Sequence, residues 1–311
     1  FFFKQKTAYE IPKRDWSSDV CSSDLAPVRS TVAPSRWASW ATPKASEASV
    51  KMPVTTMFLP ARIPMTLTVV AGMGLCKAHG MRIGIIGGTG PAGSGLALRL
   101  NVAGYEVVIG SRSKDRAEEK IVELLAAWPN RGLTLEAGDN ADAASCDLVV
   151  VATPWDSTAT IVSEHAAALR GKIVVTMANA LVKVGKEFHP LVPPRGSIAA
   201  HVQASIPASR VVAAMQHLPA KELGNLNHHV DSDVLICSDY PEAIEVVSDI
   251  VAHIPGCRPL NTGALSNALA LEAFTAVLLQ LNVRYKTRVA PRLTGIPDVD
   301  PVSGRSNVWR P

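Results

Sequence analysis

Residues 82–93 read RIGIIGGTGPAG, and the fold is decided there. RIGIIG (82–87) is a short apolar run of the kind buried in a parallel sheet. It leads straight into Gly88-Thr89-Gly90-Pro91-Ala92-Gly93, a G-x-G-x-x-G. In such a turn Gly88 allows the sharp bend, Gly90 lets the backbone approach a pyrophosphate, and Gly93 lets the next helix pack close to the strand. That helix, expected over 92–103, aims its free N–H groups and positive dipole end at the phosphates. The glycines alone are a weak signal. Set between a strand, an amphipathic helix and a second strand at 105–109, they predict a dinucleotide-binding βαβ unit.

The end of the second strand selects the nucleotide. An NAD site places Asp or Glu about 20 residues past the glycines, to accept from the ribose 2′-hydroxyl. Here the chain reads Gly110-Ser111-Arg112-Ser113-Lys114-Asp115-Arg116, with no carboxylate at the strand end. Ser111 offers a hydroxyl, Arg112 a planar guanidinium suited to phosphate, and Lys114 or Arg116 a second cation on the next helix. This pattern points to NADP(H).

Further βα units come after it. A helix is expected over 114–128, a fourth strand over 146–152 ending at Thr153-Pro154-Trp155, a crossover helix over 157–169, and a strand over 172–177. In a doubly wound sheet the ligand lies beyond the carboxyl ends of the strands. The 153–155 loop and the loop holding Met177, Ala178, Asn179 and Ala180 should therefore line the nicotinamide half of a cleft. Another strand is expected over 210–215, ending at Gln216, His217, Leu218, Pro219 and Ala220, then a strand over 234–237 and a helix over 241–253. The long apolar stretch 268–282 reads as a core helix or a dimer seam. RYKTRVAPR (284–292) carries four bases and no acid, either a solvated terminus or a patch for an anionic ligand. The fold class is α/β, a Rossmann-type doubly wound parallel sheet with a smaller C-terminal α+β domain.

Composition narrows the function. The chain has 311 residues and a formal charge of +4. Residues 1–80 hold ten Lys/Arg against five Asp/Glu, and residues 81–311 hold 21 against 22. The basic balance lies in the leader, so nothing marks the body as a nucleic-acid partner. Five cysteines without C-x-x-C spacing predict neither a disulfide scaffold nor a metal site, and a cytoplasmic, reducing setting is expected. No uninterrupted apolar run approaches about 18 residues, so no membrane partner is expected. The blocks KQKTAYEI and DWSSDVCSSDL within 1–25 resemble translated sequencing adapters. Residues 26–80 read as a disordered or untranslated leader and 297–311 as a flexible tail. A nicotinamide domain is expected over 81–180 and a second domain over 181–296. No nucleophile elbow or metal-binding cluster is evident, and His217, at a strand end beside the cleft, reads either as a structural or partner-positioning residue or as a proton donor.

The body resembles the NADPH-dependent reductases of the deazaflavin coenzyme F420. The resemblance rests on RIGIIGGTGPAGSGLALRL (82–100), EVVIGSRS (106–113), VVATPWD (150–156), QHLPAKELGNL (216–226), IPGCRPLNTGALSNA (254–268) and NVRYKTRVAPRLTGI (282–296). It implies a Rossmann domain, a smaller deazaflavin-binding and dimerisation domain, a homodimer, and direct hydride transfer between the two cofactors. By motif, Thr89, Gly90, Pro91 and Ala92 would hold the pyrophosphate, and Ser111, Arg112 and Arg116 the 2′-phosphate. Trp155 and Ala159 would flank the cofactor, and Gln216 to Ala220 would face the deazaflavin, with Gln216 standing where family members often carry His and His217 at most polarising the deazaflavin ring. The first unit also suits two alternatives: an NADP-dependent imine or ketone reductase of the pyrroline-carboxylate or hydroxyacid type, and a non-catalytic NADP-binding module.

Overall fold

The computed structural model describes residues 80–296, which fall within one structural unit. The readings of 1–25, of 26–79 and of 297–311, together with Cys21 and Cys76, concern residues outside that range.

Six strands form one parallel sheet: β1 (Arg82–Ile86), β2 (Glu106–Ser111), β3 (Leu135–Asp139), β4 (Leu148–Val151), β5 (Ile173–Thr176) and β8 (Arg210–Ala213), in the order β3-β2-β1-β4-β5-β8. A hairpin of β6 (Leu181–Val184) and β7 (Glu187–Pro190) stands apart from it. The central strands are apolar at successive positions because helices cover both faces. Ile83, Ile85, Val107, Ile109, Leu148 and Val150 feed one core. Their neighbours Ile86, Val108, Val149, Val151 and Val174 feed the other.

The first core is closed by α1 (Pro91–Val102), α2 (Lys114–Ala127) and α8 (Pro241–Ala252). The second takes residues from α3 (Asn140–Ser145), α4 (Trp155–Glu164), α5 (Ala166–Leu169), α6 (Ile198–Ser205) and α9 (Ala268–Tyr285). The crossover after β4 is thus two helices meeting at His165 rather than the single helix expected over 157–169. Gly84 in β1 sits directly on α3: a Cβ there would lie 1.9 Å from the Ala143 carbonyl oxygen.

The nicotinamide domain expected from sequence ends at residue 180. The main sheet runs past that point, because β8 pairs with β5 from Ile173↔Arg210 to Thr176↔Ala213. Both cores likewise draw on residues from either side of 180. Beyond β8 the chain forms α7 (Ala220–Leu223) and a β-α-β unit in which β9 (Ser232–Ile236) pairs in parallel with β10 (Cys257–Asn261) around α8. One antiparallel bridge, Ala213 to Cys237, ties this unit to the main sheet.

Two buried arginines fasten the later segments. The Arg99 guanidinium of α1 donates to the carbonyls of Glu222, Leu223, Asn225 and His228, satisfying the end of α7 and the turn beyond it. Arg258 makes a two-pronged pair with Asp233, whose carboxylate is fully buried, at 2.8 Å on each side. Arg258 also donates to the carbonyls of Leu293 and Ile296, and Asp233 accepts the Leu293 N–H. The basic tail is therefore not a free anion patch: Arg292 lies 3.4 Å from Asp231 and from Asp233, and Arg288 pairs with Glu222.

Candidate functional site

The carboxyl ends of the strands converge on a groove of about 340 Å³, lined by Gly87, Thr89, Gly90, Ser111, Arg112, Arg116, Asn140, Ala152, Thr153, Pro154, Ser157 and Ile161. The turn that opens it differs in one detail from expectation. Gly87, not Gly88, takes the left-handed backbone (φ 75°). Gly88 is needed for closeness instead, since its N–H donates to the carbonyls of Ile85 and Gly110 and a Cβ would come within 2.9 Å of Ile85 O. Gly93 meets Gly88 Cα at 2.8 Å by the same measure, so α1 rests directly on the turn.

Gly90 is different. A Cβ there would meet only Gly87 O, at an ordinary 3.5 Å, so the protein leaves that side open. Gly90 caps α1, Pro91 occupies the first helical position, and no side chain caps the helix. The first turn therefore keeps donors available to an anion. Pro91 and Ala92 belong to that turn, with Thr89 and Gly90 on the groove itself.

Ser111, Arg112 and Arg116 come together on the groove, as their spacing predicts. Ser111 is buried, while Arg112 and Arg116 are exposed and pair with no carboxylate among the described residues. The neighbouring acid, Asp139, is opposite Ser111 in the sheet register. It is spent on a reciprocal cap with Asp142 at the start of α3 (2.8 and 3.0 Å). The groove thus offers cations and a hydroxyl where an NAD site would offer a carboxylate.

Trp155 and Ala159 do not line this groove. They sit four residues apart on one side of α4, whereas Ser157 and Ile161, also four apart, face the groove from another. Asn140 has no counterpart among the residues expected from sequence, because β3 ahead of it leaves no clear apolar pattern. Its Oδ1 is buried without a partner, an open acceptor in a groove suited to a base or ribose edge.

A second cluster lies beyond β5 and β8. Met177 and Ala178 are buried there, and Asn179 has its amide fully engaged: Nδ2 donates to the carbonyls of Gln216 (3.3 Å) and Met177 (3.5 Å), and Oδ1 accepts from the Thr275 hydroxyl (3.1 Å). As placed, Asn179 has little left for a cofactor. Met215, buried, takes φ 68°, a costly setting for a bulky residue and one that clusters at functional sites. Next to it Gln216 is 6% exposed, and neither Oε1 nor Nε2 has a partner. Leu218 is buried, Pro219 caps α7, and Ala220 begins it.

His217, the candidate for polarising the deazaflavin ring, is tied to the backbone of α9. Its Nε2 lies 2.7 Å from the Leu271 carbonyl, so that nitrogen carries the proton and donates it there. Burial pulls its pKa below the usual histidine value, against the opposing effect of the Leu271 bond, so the imidazole is neutral near pH 7 with its N–H already committed. Its ring meets Phe274 edge-on (5.5 Å, 77°).

Residues 82–180 match the protein family described as NADP oxidoreductase coenzyme F420-dependent. The chain is 37% identical over 213 residues to an F420-dependent NADP reductase of Methanocaldococcus jannaschii, covering 67% of this chain and 95% of that one. It is 33% identical over 233 residues to an F420-dependent NADP reductase of Methanothermobacter thermautotrophicus, covering 72% and 99%. A crystal structure from Arthrobacter sp. FB24, described as a candidate F420-dependent NADP reductase, shares the fold at 24% identity with a TM-score of 0.59, covering 67% and 96%.

Proposed function

This chain belongs to the family of F420-dependent NADP reductases, and from that premise we propose how its residues divide the work of hydride exchange between NADPH and coenzyme F420. The enzyme is an oxidoreductase in which the two carriers supply the redox chemistry, a hydride passing directly between nicotinamide and deazaflavin. The protein's part is proximity, orientation and exclusion of water.

The groove is assigned to NADP(H). Thr89, Gly90, Pro91 and Ala92 would hold the pyrophosphate over the turn made by Gly88 and Gly93. Ser111, Arg112 and Arg116 would hold the 2′-phosphate, and Asn140 the adenosine end. The open side of Gly90 and the unpaired arginines support this fit. The deazaflavin is assigned to the second cluster, where Met177, Ala178, Leu218, Pro219 and Ala220 would supply contact and the Gln216 amide would meet the polar edge of the ring. The partnerless Gln216 amide carries that assignment, because a buried amide with neither atom paired awaits a group offering both donor and acceptor. Residues 81–180 would then hold most of the NADP site, and 181–296 most of the deazaflavin and dimer surfaces. No observation favours an imine or ketone reductase, or a module without turnover.

Two further assignments go with this reading. Helix α9 is long and apolar enough by composition to span a membrane, yet only a third of that stretch is buried. Its inner side is fastened through Glu272 and Thr275, and its outer side shows Leu269, Phe274 and Val277. We assign that side to a second copy of the chain, giving a homodimer. The three free cysteines among the described residues suit a reducing cytoplasm, and burial pushes the Cys237 and Cys257 thiols up to about 12, leaving them inert.

The test mixes the protein with NADPH and oxidised F420 and follows loss of the deazaflavin's visible band, with NADH as control. Rapid bleaching with NADPH and little with NADH is expected. NADPH binding without bleaching would overturn the deazaflavin assignment.

A further inference from the structure

Thr275 is an interior hydroxyl on α9, remote in sequence from every strand of the main sheet, yet it bonds to the loop after β5. Asn179 in that loop presents its NH₂ to two carbonyls, Met177 and Gln216, so its oxygen must face Thr275 and accept from it. The Gln216 carbonyl held in this way belongs to the turn entered through Met215 in the left-handed region. One helical turn before Thr275, the Leu271 carbonyl takes the His217 N–H. The turn at the end of β8 is thus gripped by α9 at two points, one direct and one through Asn179. A bulky residue at φ 68° persists only where its surroundings over-determine it.

We propose that Thr275 and Asn179 are positioning residues: the Thr275 hydroxyl fixes which way the Asn179 amide points, and Asn179 holds the Met215–His217 turn so that the Gln216 amide stays unpaired and turned to the hydride acceptor. The last step rests on the deazaflavin assignment above. The grip itself does not.

The variants are Thr275→Val, which removes the donor at nearly constant volume, and Thr275→Ser, which restores it. The His217–Leu271 bond survives in both, so both should fold, with thermal unfolding as the check. Hydrogen exchange of the peptide spanning 214–219 should quicken in Thr275→Val, return to wild-type rates in Thr275→Ser, and leave β1 and β4 unchanged. In turnover, Thr275→Val should lower kcat with F420 by roughly tenfold with unaltered NADPH affinity, and serine should rescue it. Unchanged exchange in Thr275→Val overturns the grip. Faster exchange with wild-type F420 kinetics overturns the link to Gln216. If the wild type itself reduces no F420, the proposed co-substrate fails, while the exchange rates still decide the grip.

Discussion

Two glycines of the first unit separate what the fold needs from what a ligand needs. At Gly84 an added methyl would enter the α3 backbone at Ala143, and backbone cannot swing aside as a side chain can. Gly84→Ala should cost at least about 3 kcal/mol, read as a collapse of the denaturation midpoint. At Gly90 the same methyl meets nothing closer than 3.5 Å and the backbone is extended (φ −71°, ψ 163°). Gly90→Ala should hold stability within about 0.5 kcal/mol of wild type and weaken NADPH binding, measured by titration. Arg112→Ala and Arg116→Ala should each raise the KM for NADPH by roughly tenfold or more while leaving that for NADH unchanged. These residues were legible because glycine spacing and a missing carboxylate are local signals. Gln216 was legible only as part of the stretch that ends β8, and Asn140 not at all. What marks them is an unpaired atom in a folded interior, which no spacing records.

Among the elements, those with continuous apolar runs, β1, β2, β4, β5 and β8, could be read from sequence. LEAGD of β3 could not: it is an edge strand with a single buried position, and its neighbour β2 supplies the apolar surface. The β6–β7 hairpin escaped for a like reason, since Val182 and Val184 are exposed. Helix α9, read as either core or dimer seam, has sides suited to both uses. Its Glu272, 3% exposed, accepts the N–H groups of Ile198 (2.8 Å) and Ala199 (3.0 Å), and with Ser197 it caps α6. Burial raises this carboxyl from 4.5 to about 7 despite those two bonds. The folded protein therefore holds the proton more tightly than the unfolded chain. Stability from this group is full below about pH 4.5 and is lost as pH climbs to about 7, by roughly 3 kcal/mol at most. Glu272→Gln should be less stable at low pH but should flatten that slope, measured by thermal unfolding across about pH 4.5 to 7.5.

For the whole molecule, the outer side of α9 and the Asp233 cage carry the expectations. If α9 forms the proposed dimer seam, Val277→Glu, placed at a half-exposed position on that side, should sediment as a monomer where the wild type sediments as a dimer, because a charge cannot be buried unpaired at a seam. Phe274 on the same side touches His217, so the monomer should also lose F420 turnover before it loses NADPH binding. Arg258→Met leaves the Asp233 carboxylate buried with its main partner gone and should cost about 3–5 kcal/mol. The extent of the main sheet past residue 180 was the least legible feature at this scale. The chain passes through the hairpin and α6 and then returns to add β8 to the same sheet.

That cage also imposes an order in time. Asp233 and Arg258 are made well before the carbonyls of Leu293 and Ile296 that complete their surroundings. A chain emerging from the ribosome therefore carries, until Leu293 and Ile296 have been made, a charged pair still short of its backbone partners. Folding of the β9–β10 unit should lag until those two residues emerge, behind the six-stranded sheet, whose last strand, β8, is made earlier.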